Sequence, residues 1–127
     1  MALRTSKPRE RHELTPEECR HYLQEAEFAR VIVSIRCIPA AHVARSTLVG
    51  DTLLVASDEE DVVTAAKRGD VISLESDGPT VDGGTWTVQA TGISWLVAPD
   101  DIASYFPGAA ALLPYLEQGA TLLALPL

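Results

Sequence analysis

Val55 to Asp77 read VASDEEDVVTAAKRGDVISLESD, and this stretch decides the fold. Its first residues close a short apolar run, Thr52 to Ala56, that reads as a strand. Ser57 or Asp58 then has the chemistry of a helix cap, and Val62, Val63 and Ala66 recur at helical spacing as far as Arg68. Asp58, Glu59, Glu60 and Asp61 lie at the positive end of that helix, and Lys67 and Arg68 at its negative end. Gly69 stops it, and Val71 to Ser76 returns to strand. A strand, a helix and a strand in so few residues place one short helix inside a chain otherwise made of strands.

Working outward toward the N-terminus, Leu14-Thr15-Pro16-Glu17-Glu18 opens a helix. Thr15 caps it, Glu18 completes a capping box, Pro16 takes the first helical position and Leu14 serves as a staple. Cys19, Tyr22, Leu23 and Ala26 form its apolar stripe, ending near Glu27. From Ala29 to Ile38 the period becomes two, with Val31, Val33, Ile35 and Cys37 on one face and Ile32, Ser34 and Arg36 on the other. Pro39 breaks the run, Ala40 to Val49 returns as a second strand, and Gly50-Asp51 turns into the third. Toward the C-terminus, Asp77-Gly78-Pro79 and Asp82-Gly83-Gly84 mark turns, and Thr85 to Val97 reads as one long fifth strand with a bend at Gly92. Pro99-Asp100-Asp101 opens a short helix toward Tyr105-Phe106, Ala109 to Glu117 forms another, and Thr121 to Leu127 closes a sheet of six strands. The pattern predicts a mainly β fold, an antiparallel barrel with peripheral helices.

With 127 residues the chain suits one domain, expected over residues 14–127 behind a flexible tail at residues 1–13. Its formal net charge of -8 argues against nucleic acid or an anionic membrane surface as partner. No apolar run is long enough to span a bilayer, and no leader-like stretch precedes the first helix, so a cytoplasmic protein is expected. Cys19 and Cys37 read as buried thiols without metal-like spacing. His12, His21 and His42 likewise lack ligand spacing, so no metal is expected, and no motif pairs a cysteine with a histidine as a nucleophile.

Taken in order, Leu14-Thr15-Pro16-Glu17-Glu18-Cys19, Ala29-Arg30, Pro39, Gly50-Asp51, Gly69, Glu75, Asp77, Trp86, Val88 and Gly92 resemble the pyridoxamine 5'-phosphate oxidase-like split barrels over about Leu14 to Phe106. The resemblance implies a six-stranded split β-barrel, a homodimer, and a flavin or deazaflavin held between subunits. That family typically grips the FMN phosphate with Arg-Thr-x-x-Gly-x-Lys. An ungapped match places Ala56, Ser57, Glu60 and Val62 at the Arg, Thr, Gly and Lys positions, so both cations are replaced and carboxylates surround the loop. Val43 and Ser46 likewise stand where the family's second strand carries proline and tyrosine.

The resemblance makes Arg45, Ser46, Ser57, Lys67 and Trp86 the candidate cofactor contacts, with no catalytic residue indicated. Trp86 has core packing as its alternative role, and Lys67 with Arg68 fits the helix dipole. Arg30, Arg36 or Arg45 is a candidate to supply the missing cation. His42, on the opposite face of its strand from Arg45, reads as a surface or interface histidine. Two functions follow from these residues. One is an oxidoreductase using FMN or a deazaflavin with a degenerate phosphate site; the other is a non-catalytic homodimer that has lost the flavin. Returning Arg to position 56 and Lys to position 62 is expected to strengthen FMN binding if the ancestral cleft survives.

Overall fold

The computed structural model describes residues 12–105 and 107–127. Helix α1 (Pro16–Glu25) is followed by β1 (Phe28–Ile35), β2 (Ile38–Val49) and β3 (Thr52–Ser57). Helix α2 (Glu60–Arg68) leads to β4 (Val71–Pro79), β5 (Thr85–Ile93) and β6 (Trp95–Leu96). The chain ends with α3 (Pro99–Tyr105), a 3-10 segment (Pro107–Leu112), α4 (Leu113–Glu117) and β7 (Thr121–Pro126). The strands form one antiparallel sheet in the order β5-β4-β1-β2-β3-β7-β6. Most of the expected tail, and Phe106 at the end of the expected short helix, lie outside the described residues.

The sheet has seven strands where six were expected. Thr85 to Val97 is not continuous: the chain leaves β4 after Ile93 and resumes at Trp95 against Ala124 of β7. Ser94 lies at the change of partner and is buried. Gly92 marks the close approach that the change requires, since a Cβ there would stand 3.2 Å from Leu125 Cδ1. The bend expected at Gly92 therefore falls two residues later, and it breaks the strand.

The first hairpin also differs. β1 ends at Ile35 because Arg36 and Cys37 take φ of 51° and 65°, left-handed values that end the strand pairing. Ile38 and Pro39 consequently belong to β2, with Pro39 opposite Ser34. β3 joins β2 only from Arg45 onward, so the strand has a free edge near Pro39 that tolerates the missing N–H. Cys37 is exposed at this turn and Cys19 is half-buried, so neither is the fully buried thiol expected. Asp77-Gly78-Pro79 continues β4 instead of turning, and the turn lies at residues 80–84.

Alternation along the strands sorts the core onto two faces. The inner face carries Val31, Val33, Leu53, Val55, Ile72, Leu74, Leu123 and Leu125, and Val62, Ala65 and Ala66 of α2 plug it. That helix turns one apolar stripe inward, and Gly69 ends it at φ 70°. The outer face is covered only in part: Leu54, Ala56, Leu122 and Ala124 pack under Ala109 and Leu112 of the 3-10 segment. Pro114 is accommodated because it falls in the first turn of α4.

The start of α1 carries the capping box in both directions. Glu18 N–H donates to Thr15 Oγ1 at 3.1 Å, and Thr15 N–H donates to Glu18 Oε1 at 3.1 Å. The Thr15 backbone N–H, followed by the Thr15 side chain, holds the Glu18 carboxyl below the usual glutamate range. A depressed carboxyl adds stability above its unfolded pKa and loses it as pH falls through the folded value. Separately, Thr15→Ala removes the acceptor of the Glu18 N–H and is expected to lower stability by about 1 kcal/mol, the usual cost of losing such a cap. Most of that difference should persist in acid, because the bond lost runs from the Glu18 N–H to the hydroxyl while the Thr15 backbone N–H still holds the Glu18 carboxylate in the variant; denaturant unfolding of both proteins at two pH values checks this.

Candidate functional site

The hairpin at Gly50-Asp51 fixes the register of β2 on β3, and that register builds the site. Val49 faces Thr52, Ser46 faces Val55, and Arg45 faces Ala56. Directly opposed residues point to the same side of a sheet, so the Arg45 side chain emerges on the same face as Ala56, one strand away. The next strand outward continues the row, with Phe28 opposite Arg45.

A cleft of about 380 Å³ opens over this row, lined by Phe28, Val43, Ala44, Arg45, Ala56, Ser57, Asp58, Tyr115, Gln118 and Ala120. Arg45 is the cation among these lining residues. Its guanidinium carbon stands 3.9 Å from the centre of the Phe28 ring and 5.0 Å from that of Tyr115. Those cation–π contacts orient the group without consuming its N–H donors. Its ionic partner is Glu27, at 3.3 Å, a carboxylate with a side chain 76% exposed. So exposed a pair is weak and can be displaced by a ligand anion.

Ser57 is buried, and its Oγ accepts the Glu59 N–H at 3.2 Å. It thus shapes the turn into α2, while Glu59 takes the cap position expected of Ser57 or Asp58 and makes no side-chain cap bond. Asp58 is exposed and adds negative charge to the cleft wall. Val62 lies far from this role: it is completely buried in the inner core.

The candidates read from the sequence divide accordingly. Arg45 and Ser57 come together in the cleft. Ser46 is buried on the opposite face of β2, and Lys67 lies in the last turn of α2. Trp86 stacks on Tyr22 of α1, with centroids 4.5 Å apart and planes 15° apart, and lies against Gly78 so closely that a Cβ there would come within 2.9 Å of the indole. Arg30 pairs with Asp77 at 2.6 Å on the outer face of the sheet, and Arg36 occupies the β1–β2 turn. Phe28, Tyr115 and Gln118 were not singled out in the sequence. Phe28 had a findable signal, since continuing the hairpin pairings sets it beside Arg45; Tyr115 and Gln118 arrive from a distant segment.

A flavin nucleotide would need a flat apolar contact and a cation for its phosphate. Two aromatic rings and an arginine oriented by them meet both needs, and the uncapped start of α2 adds donor N–H groups near Ser57. Asp58 to Asp61 oppose the anion, so the fit rests on Arg45 and is weaker than an Arg/Lys pair would give.

No protein-family model matches the chain, and no curated protein is similar to it in sequence. Solved structures are similar in fold. An FAD-binding protein from Mesorhizobium loti superposes with a TM-score of 0.73 at 12% identity, covering 87% of this chain and 88% of that one. The FAD-binding protein from Mycobacterium smegmatis gives 0.65 at 18% identity, covering 89% of each chain. A candidate pyridoxamine 5'-phosphate oxidase from Corynebacterium glutamicum gives 0.68 at 17% identity, covering 89% of this chain and 84% of that one.

Proposed function

We infer the function from the fold, a split barrel of the pyridoxamine 5'-phosphate oxidase-like type with seven antiparallel strands curled around α2 and further helices at the periphery. From that premise we propose that it is a homodimeric flavin-binding protein, taking FMN, FAD or a deazaflavin in the cleft over Phe28, Arg45 and Tyr115, and serving as an oxidoreductase. The observation that carries this reading is Arg45 opposite Ala56: the cation absent from β3 is supplied on the same face by β2. Proteins of this fold described as FAD-binding support the choice of ligand.

In this reading Arg45 binds the phosphate, Phe28 and Tyr115 hold the guanidinium in place, and Gln118 offers an amide at the rim. A bound flavin supplies the electron or hydride transfer itself, so the protein's task is to bind, orient and exclude water. Dimerisation is supported by the uncovered outer face, where Phe28, Val43, Val71 and Ile93 are 47%, 69%, 62% and 58% exposed and belong to neither core cluster. Among the described residues no helix is long and apolar enough to cross a membrane. The two free thiols suit a cytoplasmic setting.

The second reading, a non-catalytic dimer without flavin, is favoured by Asp58 on the cleft wall. One experiment separates the two. Titrating the purified protein with FMN, FAD and a deazaflavin, with sedimentation on the same samples, is expected to show a dimer binding one of them with Kd of about 1–100 μM. A dimer that binds none at about 1 mM supports the second reading, and a monomer sinks the dimer.

A further inference from the structure

His42 lies on the other face of β2 from Arg45, turned toward the start of α2. The β2–β3 pairing ends at Arg45 and Ala56, so His42 lies three residues beyond it on β2 and Glu59 two residues beyond the end of β3. Its Nδ1 is 3.7 Å from Glu59 Oε2, and its Nε2 is 3.5 Å from Asp61 Oδ2. The Nε2 atom is buried and makes no hydrogen bond, and the side chain is 21% exposed. The two carboxylates address opposite nitrogens of the ring, so they do not converge on a common point as metal ligands would.

A neutral imidazole carries one N–H and presents a lone pair to one of these carboxylates. The imidazolium carries two and suits both. Its neighbours within the sheet are uncharged: Val31, its partner on β1, is fully buried, and Ala40 and Ala44 share its face of β2. From α2 and its approach, Glu59 and Asp61 face it; Asp58 and Glu60 of the same turn are exposed.

We propose that His42 is a positioning residue for the cleft, whose imidazolium ties Glu59 and Asp61 to β2 and so makes uptake of an anionic ligand beside Ser57 and Asp58 proton-coupled. The effect on binding rests on the proposed function, in which the cleft takes a phosphate-bearing ligand; the tie itself does not. An imidazolium offsets one of the two carboxylate charges and a neutral imidazole offsets none, so the comparison is made on either side of the range over which histidine side chains change charge. The phosphate of FMN gains its second charge near about pH 6, which acts in the opposite direction. Comparing wild type with a variant at each pH cancels that contribution.

The test is FMN titration by calorimetry at about pH 6 and about pH 8 on wild type, His42→Gln and the double variant Glu59→Gln with Asp61→Asn, with amide exchange over residues 59–63 of the ligand-free proteins. Wild type is expected to bind about fivefold tighter than His42→Gln at the lower pH and within about twofold at the higher. The ratio of double variant to His42→Gln should not change with pH. Exchange in the first turn of α2 should be slower in wild type than in His42→Gln at the lower pH only. A wild-type to His42→Gln affinity ratio equal at both pH values overturns the proposal. Failure of wild type to bind FMN instead removes the flavin reading and leaves the exchange arm to decide the tie: protection equal in wild type and His42→Gln overturns it as well. The double variant keeps the test open if His42→Gln does not fold, because its affinity relative to wild type must then change with pH.

Discussion

Val62→Lys is expected to unfold much of the protein instead of returning a cation to the cleft. The family resemblance places a phosphate-binding lysine at position 62, and the sequence alone makes its return a natural design. In the structure Val62 is 0% exposed and belongs to the stripe with Ala65 and Ala66 that α2 presses into the inner core. A lysine there either carries an unpaired charge among apolar side chains or surrenders its proton, and both cost free energy. The expected loss is about 3–5 kcal/mol, a large part of the roughly 5–15 kcal/mol that holds a domain of this kind together. At about 3–5 °C per kcal/mol the midpoint of thermal unfolding should fall by about 10 °C or more. Ala56→Arg makes the contrast: Ala56 lines the cleft but is buried in the smaller outer cluster under Ala109 and Leu112, so its arginine should cost some stability there while sparing the inner core, and should raise FMN affinity by standing beside Arg45. Equal thermal midpoints for Val62→Lys and wild type would show that α2 does not present residue 62 inward.

The two substitutions differ because facing is a matter of register and helix phase, and the sequence discloses these unevenly. The phase of α2 was legible: Val62 and Ala66 are four apart, and Gly69 closes the helix at the left-handed φ that glycine permits. The start of α1 was legible for the same reason, since Thr15 and Glu18 carry their partners within one turn. The first hairpin was not, because Arg36 and Cys37 adopt left-handed conformations without the glycine or asparagine that normally announces them. Nor was the break at Ser94, where the reward is a new partner strand from the far end of the chain. The cation of the cleft stands between these cases. Once Val49 and Thr52 flank the Gly50-Asp51 turn, counting back four pairs sets Arg45 opposite Ala56. That information is present in the strand pairing, though a position-by-position comparison with an Arg-Thr loop does not use it, because the replacement lies on another strand. Tyr115 and Gln118 come from α4 and the residue that follows it, and their place depends on how Ala109 and Leu112 dock over Leu54 and Ala56.

Arg45→Met is expected to remove most FMN affinity while leaving the protein folded. Methionine keeps an unbranched apolar stem between Phe28 and Tyr115 and deletes only the guanidinium, so packing lost and charge lost are separated. A hydrogen bond to a charged partner contributes about 1.5–3 kcal/mol, and Arg45 is the one cation among the residues lining the cleft. FMN binding should therefore weaken by about 10- to 100-fold, whereas riboflavin, which lacks the phosphate, should change by less than about threefold. Arg45→Lys should recover part of the loss, since it returns the charge without the planar fork that lies over Phe28. Arg30→Met is the matched control: it removes a cation of the same sheet, paired with Asp77 on the outer face, and should leave both affinities unchanged. The outcome also bears on the acidic run. With Asp58 on the cleft wall and Glu59 to Asp61 beside it, an anion held without Arg45 would meet carboxylates opposed by no cation of the lining, with neutral donors such as Gln118 and the first amides of α2 as its remaining contacts. If Arg45→Met and wild type bind FMN equally, the phosphate is held somewhere other than over Ala56, and the relocation of the cation from β3 to β2 is wrong.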